Sequence, residues 1–247
     1  MSSYTFLAGC YDMFTRDVDY EKRARFISRL FSKAGARVKT VIDLAGGTGS
    51  MAFELAKQGM EVTLVDNSPE MLAVAMEKLA GHDALIINQD ISKLDLYTAY
   101  DGAVCCLDSI NYLTDFEKLK KTFYRLFYFI KPGGVFVFDV NTRKKFEKLH
   151  GQTFVRENDD FYCVWQGDFN PKSDKFTIEM DIFEREKDLF AKYHETHRQR
   201  AYSHEQLAQA LDLAGFDLVS TYAELRLKQP GLEEERIFYT ARRRATR

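Results

Sequence analysis

An apolar strand that runs straight into a glycine-rich turn constrains this chain more than any other feature. Thr40 to Gly49 reads T-V-I-D-L-A-G-G-T-G. Val41, Ile42 and Leu44 form a short β-branched-rich run, and Ala45, Gly46, Gly47 and Gly49 carry little bulk where the backbone must turn tightly. Met51, Phe53, Leu55 and Ala56 then fall on one face of a helix. Such a turn lets a ligand approach the backbone, and the free N–H groups at the helix start face whatever sits there. A nucleotide-like ligand is the first expectation.

The same grammar repeats downstream. Glu61 to Asp66 reads as a strand, and Ser68 caps a helix over 69–80 with Pro69 at its first position. Ala84 to Asn88 and Tyr100 to Leu107 are further strands; a helix over 115–130 stops at Lys131-Pro132-Gly133-Gly134, and strand Val135 to Val140 follows. This alternation predicts a Rossmann-like, doubly wound α/β sheet, mostly parallel. Ser203 caps a helix over 204–214, and Asp217 to Glu224 with Arg236 to Arg242 read as two final strands that finish a seven-stranded sheet with an antiparallel last strand.

Between 149 and 201 the period changes to two. Phe161, Cys163, Trp165 and Phe169 share one parity; Phe176, Ile178, Met180 and Ile182 share another run, with Asn170 to Asp174 as the turn between them. A third strand, Phe190 to Tyr202, places Tyr193, Glu195, His197 and Gln199 on one face and Lys192, His194, Arg198 and Arg200 on the other, and one of these faces is expected to look into the cleft. The domain reading is therefore a core over 1–148 and 202–247, carrying an inserted antiparallel β-meander over 149–201 as a substrate-side lid.

Acids recur where an open α/β sheet binds ligands, just past its strand ends. Asp66 lies 17 residues after Gly49 and is placed to accept from ribose hydroxyls. Asp90 can accept from the exocyclic amine of a base with Ile91 beside the ring, or else it is a turn or capping residue. After the fourth strand come Asp108, Ser109, Asn111 and Tyr112, candidates for the reacting end; Ser109 equally suits shaping the loop, while Thr114 or Asp115 caps the next helix.

Across 247 residues, 45% are hydrophobic and 29% charged, so the chain can bury a sizeable core and is neither disordered nor fibrous. A net charge of −2 argues against gripping a phosphate backbone as the main task. Arg242, Arg243, Arg244 and Arg247 read as a solvated, partly frayed tail, with nucleic-acid contact as the alternative. Cys10, Cys105, Cys106 and Cys163 have no metal-ligand spacing and read as reduced packing residues. No run is long and apolar enough to span a bilayer and no leader pattern opens the chain, so a cytoplasmic protein is expected. Near the start, Tyr4, Phe6, Tyr11 and Phe14 form an aromatic cluster; Tyr20 reads as core, and Tyr11 as either core or a lid over the cleft.

At Asp43-Leu44-Ala45-Gly46-Gly47-Thr48-Gly49, followed by Asp66, the sequence resembles class I S-adenosylmethionine-dependent methyltransferases, with Ala45 in place of the first glycine of their motif. Val65 to Leu72 looks like the family's ribose-binding segment, Gln89-Asp90-Ile91 like its adenine-binding acid, and Lys131-Pro132-Gly133-Gly134 like its helix-to-fifth-strand turn. Tyr11-Asp12, Asp17 to Tyr20, Cys106 to Leu113 and Glu195 to Tyr202 are similar to a small bacterial group with an antiparallel insertion after the fifth strand, akin to sugar N,N-dimethyltransferases and glycine N-methyltransferase-like enzymes.

The resemblance implies S-adenosyl-L-methionine as cofactor, held by Asp43, Ala45, Gly46, Gly47, Gly49, Asp66, Asn67, Met71, Gln89, Asp90, Ile91, Leu107 and Asp108. It implies a small-molecule methyl acceptor positioned for in-line transfer by Asn111, Tyr112 and Tyr11, with His197 either a base near neutral pH or an exposed strand histidine. RNA or protein substrates on the same fold, a nicotinamide oxidoreductase and a non-enzymatic cofactor-binding protein are the rival readings. No membrane partner is implied, and the oligomeric state, monomer or homodimer, stays open.

Overall fold

The structure is a computed structural model that describes residues 11–246. Tyr4, Phe6 and Cys10 lie outside the described residues. Two short helices open the chain, α1 (Tyr11–Phe14) and α2 (Tyr20–Lys33). The alternating unit follows as β1 (Thr40–Leu44), α3 (Ser50–Lys57), β2 (Glu61–Asp66), α4 (Pro69–Lys78), β3 (Ala84–Asn88), β4 (Tyr100–Cys105), α5 (Phe116–Phe129) and β5 (Ile130–Asn141). Ser68 caps α4 by accepting from the Met71 N–H, and Asp115, not Thr114, caps α5 by accepting from Glu117.

After α6 (Arg143–Leu149), strands β6 (Thr153–Glu157), β7 (Phe161–Asn170), β8 (Lys175–Glu186) and β9 (Leu189–Arg200) form a separate antiparallel sheet, and α7 (His204–Ala214), β10 (Phe216–Ala223) and β11 (Arg236–Arg243) complete the main one. Among the described residues the main sheet has seven strands in the order β10-β11-β5-β4-β1-β2-β3. Strands β1 to β5 pair in parallel, and β11 runs antiparallel to both β5 and β10. The chain winds outward in both directions from β1, which opens a crevice between the carboxyl ends of β1 and β4. Apolar cores fill both faces, one around Phe123, Phe136 and Phe138, the other around Ile27, Leu55 and Phe238.

Three expectations need correction. The insertion sheet has four strands, because β6 pairs with β7 through Phe154↔Trp165 and Val155↔Val164; its short run between polar residues carries too little alternation to be read alone. Lys131 to Gly134 does not precede the fifth strand but bulges within it, since Tyr100 already pairs with Ile130 before the register shifts to Gly102↔Val135. Three of the arginines near the end are not frayed: Arg242 and Arg243 lie in β11, and Arg244 pairs with Asp212 at 2.5 Å and Asp217 at 2.7 Å, while Arg247 lies outside the described residues.

Candidate functional site

The glycine turn forms a tight backbone cradle. Ala45 and Gly49 both have positive φ, 53° and 78°; this is free for glycine and costs an alanine about 1–2 kcal/mol. Gly49 opens α3 without a side-chain cap, and a Cβ there would meet Ala75 at 3.1 Å. At Gly46 a Cβ would come within 2.8 Å of the Asp43 carboxylate. Asp43 is buried; burial first, then the charge of Asp66, raise its pKa to about 7. Asp66 closes the turn from β2, accepting from the Gly47 N–H and the Ser68 N–H at 2.9 Å each. Burial raises its carboxyl above the usual range, against the pull of the backbone donors around it.

A cavity of about 300 Å³ lies over this turn. Ala45, Gly47, Asp66, Asn67 and Met71 line one end, Gln89, Asp90 and Ile91 the other, and Leu107, Tyr112 and Tyr11 close it. With Ser109, twelve of the residues proposed from sequence thus meet around one space. Asp43 and Gly46 sit behind it on a small adjoining cavity, and Gly49 supports the turn from the helix side. Asp90 both caps a turn and faces the cavity: one oxygen accepts from the Ser92 N–H at 2.8 Å, and the other pairs with Lys118 at 3.2 Å. Leu113, next to Tyr112, also lines the space, as does Lys118, which was not anticipated because α5 is remote in sequence from the turn.

The loop after β4 is held from beneath. Leu107 and Asp108 both have φ of +55°, which turns their consecutive N–H groups toward the two oxygens of Asp139, at 3.0 Å each. Asp139 is fully buried at the end of β5 and ion-paired to Arg236 of β11 and to Arg23 of α2. Burial alone would raise its pKa; Arg236, Arg23 and the two N–H groups outweigh that and hold it below the usual carboxylate range. Arg236 also reaches Asp108 at 2.6 Å, and the Gln199 amide donates to the other Asp108 oxygen at 2.6 Å. Asp108, a candidate for the reacting end that the resemblance also assigned to the cofactor, lines a second cavity and not the first. An acid inside the otherwise apolar run Val135 to Val140 was the signal for Asp139, and sequence reasoning passed over it.

The second cavity, about 380 Å³, lies between this loop, α1 and the four-stranded sheet. Tyr11, Leu107 and Tyr112 line both cavities and so stand at their junction. Burial, then Tyr20, Tyr112, Asp108 and Asp66, push the Tyr11 hydroxyl well above its ordinary pKa, so at neutral pH it is a hydrogen-bond donor and not a base. His197 lines the second cavity and is buried, not exposed; its Nε2 lies 3.0 Å from Glu195, and its ring meets Tyr112 edge-on at 6.1 Å. The Tyr193-to-Gln199 face of β9 is therefore the inward one. Asn111 is not at either cavity. Its amide donates to the carbonyls of Asn141 and Arg200 and accepts from the Asn141 N–H, so both ends are spent tying the loop to β5 and β9.

Residues 41–134 match the model of a methyltransferase domain. A solved S-adenosylmethionine-dependent methyltransferase from Clostridium acetobutylicum ATCC 824 superposes with a TM-score of 0.87 at 31% identity, covering 98% of this chain and 99% of that one. This chain belongs to the S-adenosylmethionine-dependent methyltransferases. YqeM of Bacillus subtilis (strain 168), named as a methyltransferase, is 29% identical over 98% of both chains. A glycine/sarcosine/dimethylglycine N-methyltransferase from Actinopolyspora halophila is 31% identical over 65% of this chain and 29% of its own length.

The residues of this methyltransferase fit its cofactor. Each Asp66 oxygen takes one backbone N–H, and an ionised carboxylate has about four acceptor sites, which leaves room for two ribose hydroxyls. Asp90 offers a carboxylate beside the apolar surface of Ile91, the pairing that a base with an exocyclic amine requires. S-adenosylmethionine supplies an electrophilic methyl group on a sulfonium. Such a transfer asks the protein mainly to align the acceptor with that methyl group and to keep water out.

Proposed function

We propose that this methyltransferase transfers a methyl group to the nitrogen or oxygen of a small molecule seated in the second cavity, under the four-stranded sheet. One observation carries the reading. Tyr11, Leu107 and Tyr112 line both cavities, so a nucleophile in the second can face a methyl group presented from the first. In-line displacement needs that alignment more than it needs a covalent intermediate, and effective concentration supplies the rate. Near the end of the chain, Arg243 donates to the Phe127 carbonyl and Arg244 is paired with Asp212 and Asp217. Arginines engaged in this way support a small acceptor over RNA.

Tyr112 and Tyr11 position the acceptor, and His197, backed by Glu195, is the candidate to take its proton. The insertion over 149–201 acts as the lid. The test is thermal stability with S-adenosylmethionine and S-adenosylhomocysteine, followed by transfer of labelled methyl to a small-molecule panel and to bulk tRNA. A rise in Tm with label on a small molecule supports the reading; label only on tRNA overturns it.

A further inference from the structure

The second cavity has walls and a floor of different chemistry. Phe14, Val18, Phe154, Trp165, Ile178 and Met180 give it an apolar side, and the floor carries Asp108, His197 and Arg236, with Thr15, Arg156 and the tyrosines Tyr11 and Tyr112 also in the lining. Phe154 and Trp165 stack at 4.2 Å and 18° across the β6–β7 pair and stay only half-buried. Half-open aromatic rings inside a concave apolar wall mark a surface that a ligand covers.

The two arginines in the lining of this space are already engaged. Arg236 is shared by Asp139, Asp108 and Glu224, and Arg156 is paired with Asp17 at 2.7 Å. A free α-amino acid such as glycine would bring a carboxylate that must compete for them, and it would leave most of the 380 Å³ unfilled. A sugar would bring several hydroxyls to a lining whose polar side chains are already held, Thr15 by the Tyr11 carbonyl, Arg156 by Asp17, His197 by Glu195 and Arg236 by Asp108, and each unmade hydrogen bond costs about 1–3 kcal/mol. A flat aromatic ring has neither fault. At the floor, each Asp108 oxygen takes one donor, from Arg236 and from Gln199, so it can accept one more from a ligand.

We propose that the acceptor is an aromatic amine whose ring lies against the Phe154–Trp165 stack and whose nitrogen donates to Asp108; the inference rests on the small-molecule reading above. The bound ammonium first gives one proton to His197; the freed nitrogen lone pair then forms the bond to the methyl carbon as the carbon–sulfur bond breaks with its pair on sulfur, giving S-adenosylhomocysteine. The methylated nitrogen keeps its proton as an ammonium that faces the Asp108 carboxylate, and loses it to water after release. A carboxylate at that point favours the charge that develops on nitrogen.

Trp165 is the chain's single tryptophan, so selective indole excitation reads this cavity directly. The protein saturated with S-adenosylhomocysteine is titrated with benzylamine, phenethylamine, tyramine, glucosamine and glycine. Saturable quenching by an aromatic amine, and none by glucosamine or glycine, is the expected result. Calorimetry on Trp165→Ala, checked for an unchanged Tm and unchanged S-adenosylhomocysteine affinity, should show binding of that amine weakened roughly tenfold, the scale of one lost aromatic contact with its buried area. Failure of all three aromatic amines to bind, or methylation of glycine or glucosamine in their place, overturns the inference. Failure to bind S-adenosylhomocysteine at all instead overturns the reading beneath it.

Discussion

Asp139 and Arg236, 97 positions apart in sequence, form a buried ion pair on adjacent antiparallel strands, directly beneath the loop that parts the two cavities. The pair holds that loop because Asp139, which also takes Arg23, accepts from the N–H groups of Leu107 and Asp108. Asp139→Asn keeps the shape but leaves Arg236 with one charge fewer and sets an amide NH₂ against two N–H donors. Breaking such a pair costs about 3–5 kcal/mol. The expected outcome is a marked fall in Tm together with S-adenosylhomocysteine binding weakened at least tenfold; calorimetry showing unchanged affinity in a folded variant would sink the positioning role.

Positions 45 and 46 should respond in opposite ways. Gly46→Ala drives a Cβ within 2.8 Å of the Asp43 carboxylate and 3.0 Å of Leu64, an overpacking worth about 1–3 kcal/mol. Ala45→Gly relieves a side chain held at φ 53°, and after the added freedom of the unfolded chain it should be neutral or stabilising by up to about 1 kcal/mol. Urea denaturation of both variants checks the pair.

Asp12 latches α1 onto the cofactor turn. One oxygen accepts from the Thr48 hydroxyl at 2.6 Å, and the other pairs with Lys78 at 2.7 Å. The latch is partly exposed, so its stability contribution is small, about 0.5–1 kcal/mol, and screened by salt. Since Tyr11 precedes it on the same short helix, Asp12→Ala should speed cofactor release several-fold while moving Tm by less than a few degrees. Stopped-flow release at low and high salt tests this, with the difference between the two proteins shrinking as salt rises.

His194 sits on the outer face of the insertion, 2.8 Å from Asp181 and 3.0 Å from Glu179. Asp181 first, then Glu179, raise its pKa above the ordinary 6.5, against slight desolvation. Stability from a raised histidine is fully present below the unfolded value of about 6.5 and is lost as pH climbs through the folded one. Asp181, lowered chiefly by His194 and Lys192, contributes above its ordinary 3.8 and loses that contribution as pH falls. The β8–β9 pair should therefore be most protected in mildly acidic solution. Histidine NMR titration and hydrogen exchange of β8 and β9, compared with His194→Gln, give the readout; a slope above pH 6.5 that survives the substitution refutes the assignment.

What was legible in the sequence is what is local. The turn from Leu44 to Ser50, the Ser68 cap and the acids at the ends of β2 and β3 are set by residues a few positions apart, and the periodicity of their strands and helices places them along one sheet edge. The Asp139–Arg236 pair was not legible, because its partners meet only through the β5–β11 pairing. Asn111 looked like a site residue by its position after a strand, yet its amide closes main-chain gaps that only the tertiary fold creates. His197 was ambiguous for a related reason: a strand's two faces are distinguishable in sequence, but which one turns inward depends on where the sheet docks.

The Arg236 contact has a consequence for how the protein assembles. Arg236 reaches across 128 positions to Asp108 and 97 to Asp139, so a chain with β1 to β5 formed and β11 undocked carries the glycine turn but no settled loop after β4. Cofactor affinity is then a property of the completed sheet, and by linkage the bound cofactor must stabilise β11 against local opening. Amide exchange in a strand that never touches the first cavity becomes a gauge of whether that cavity is filled.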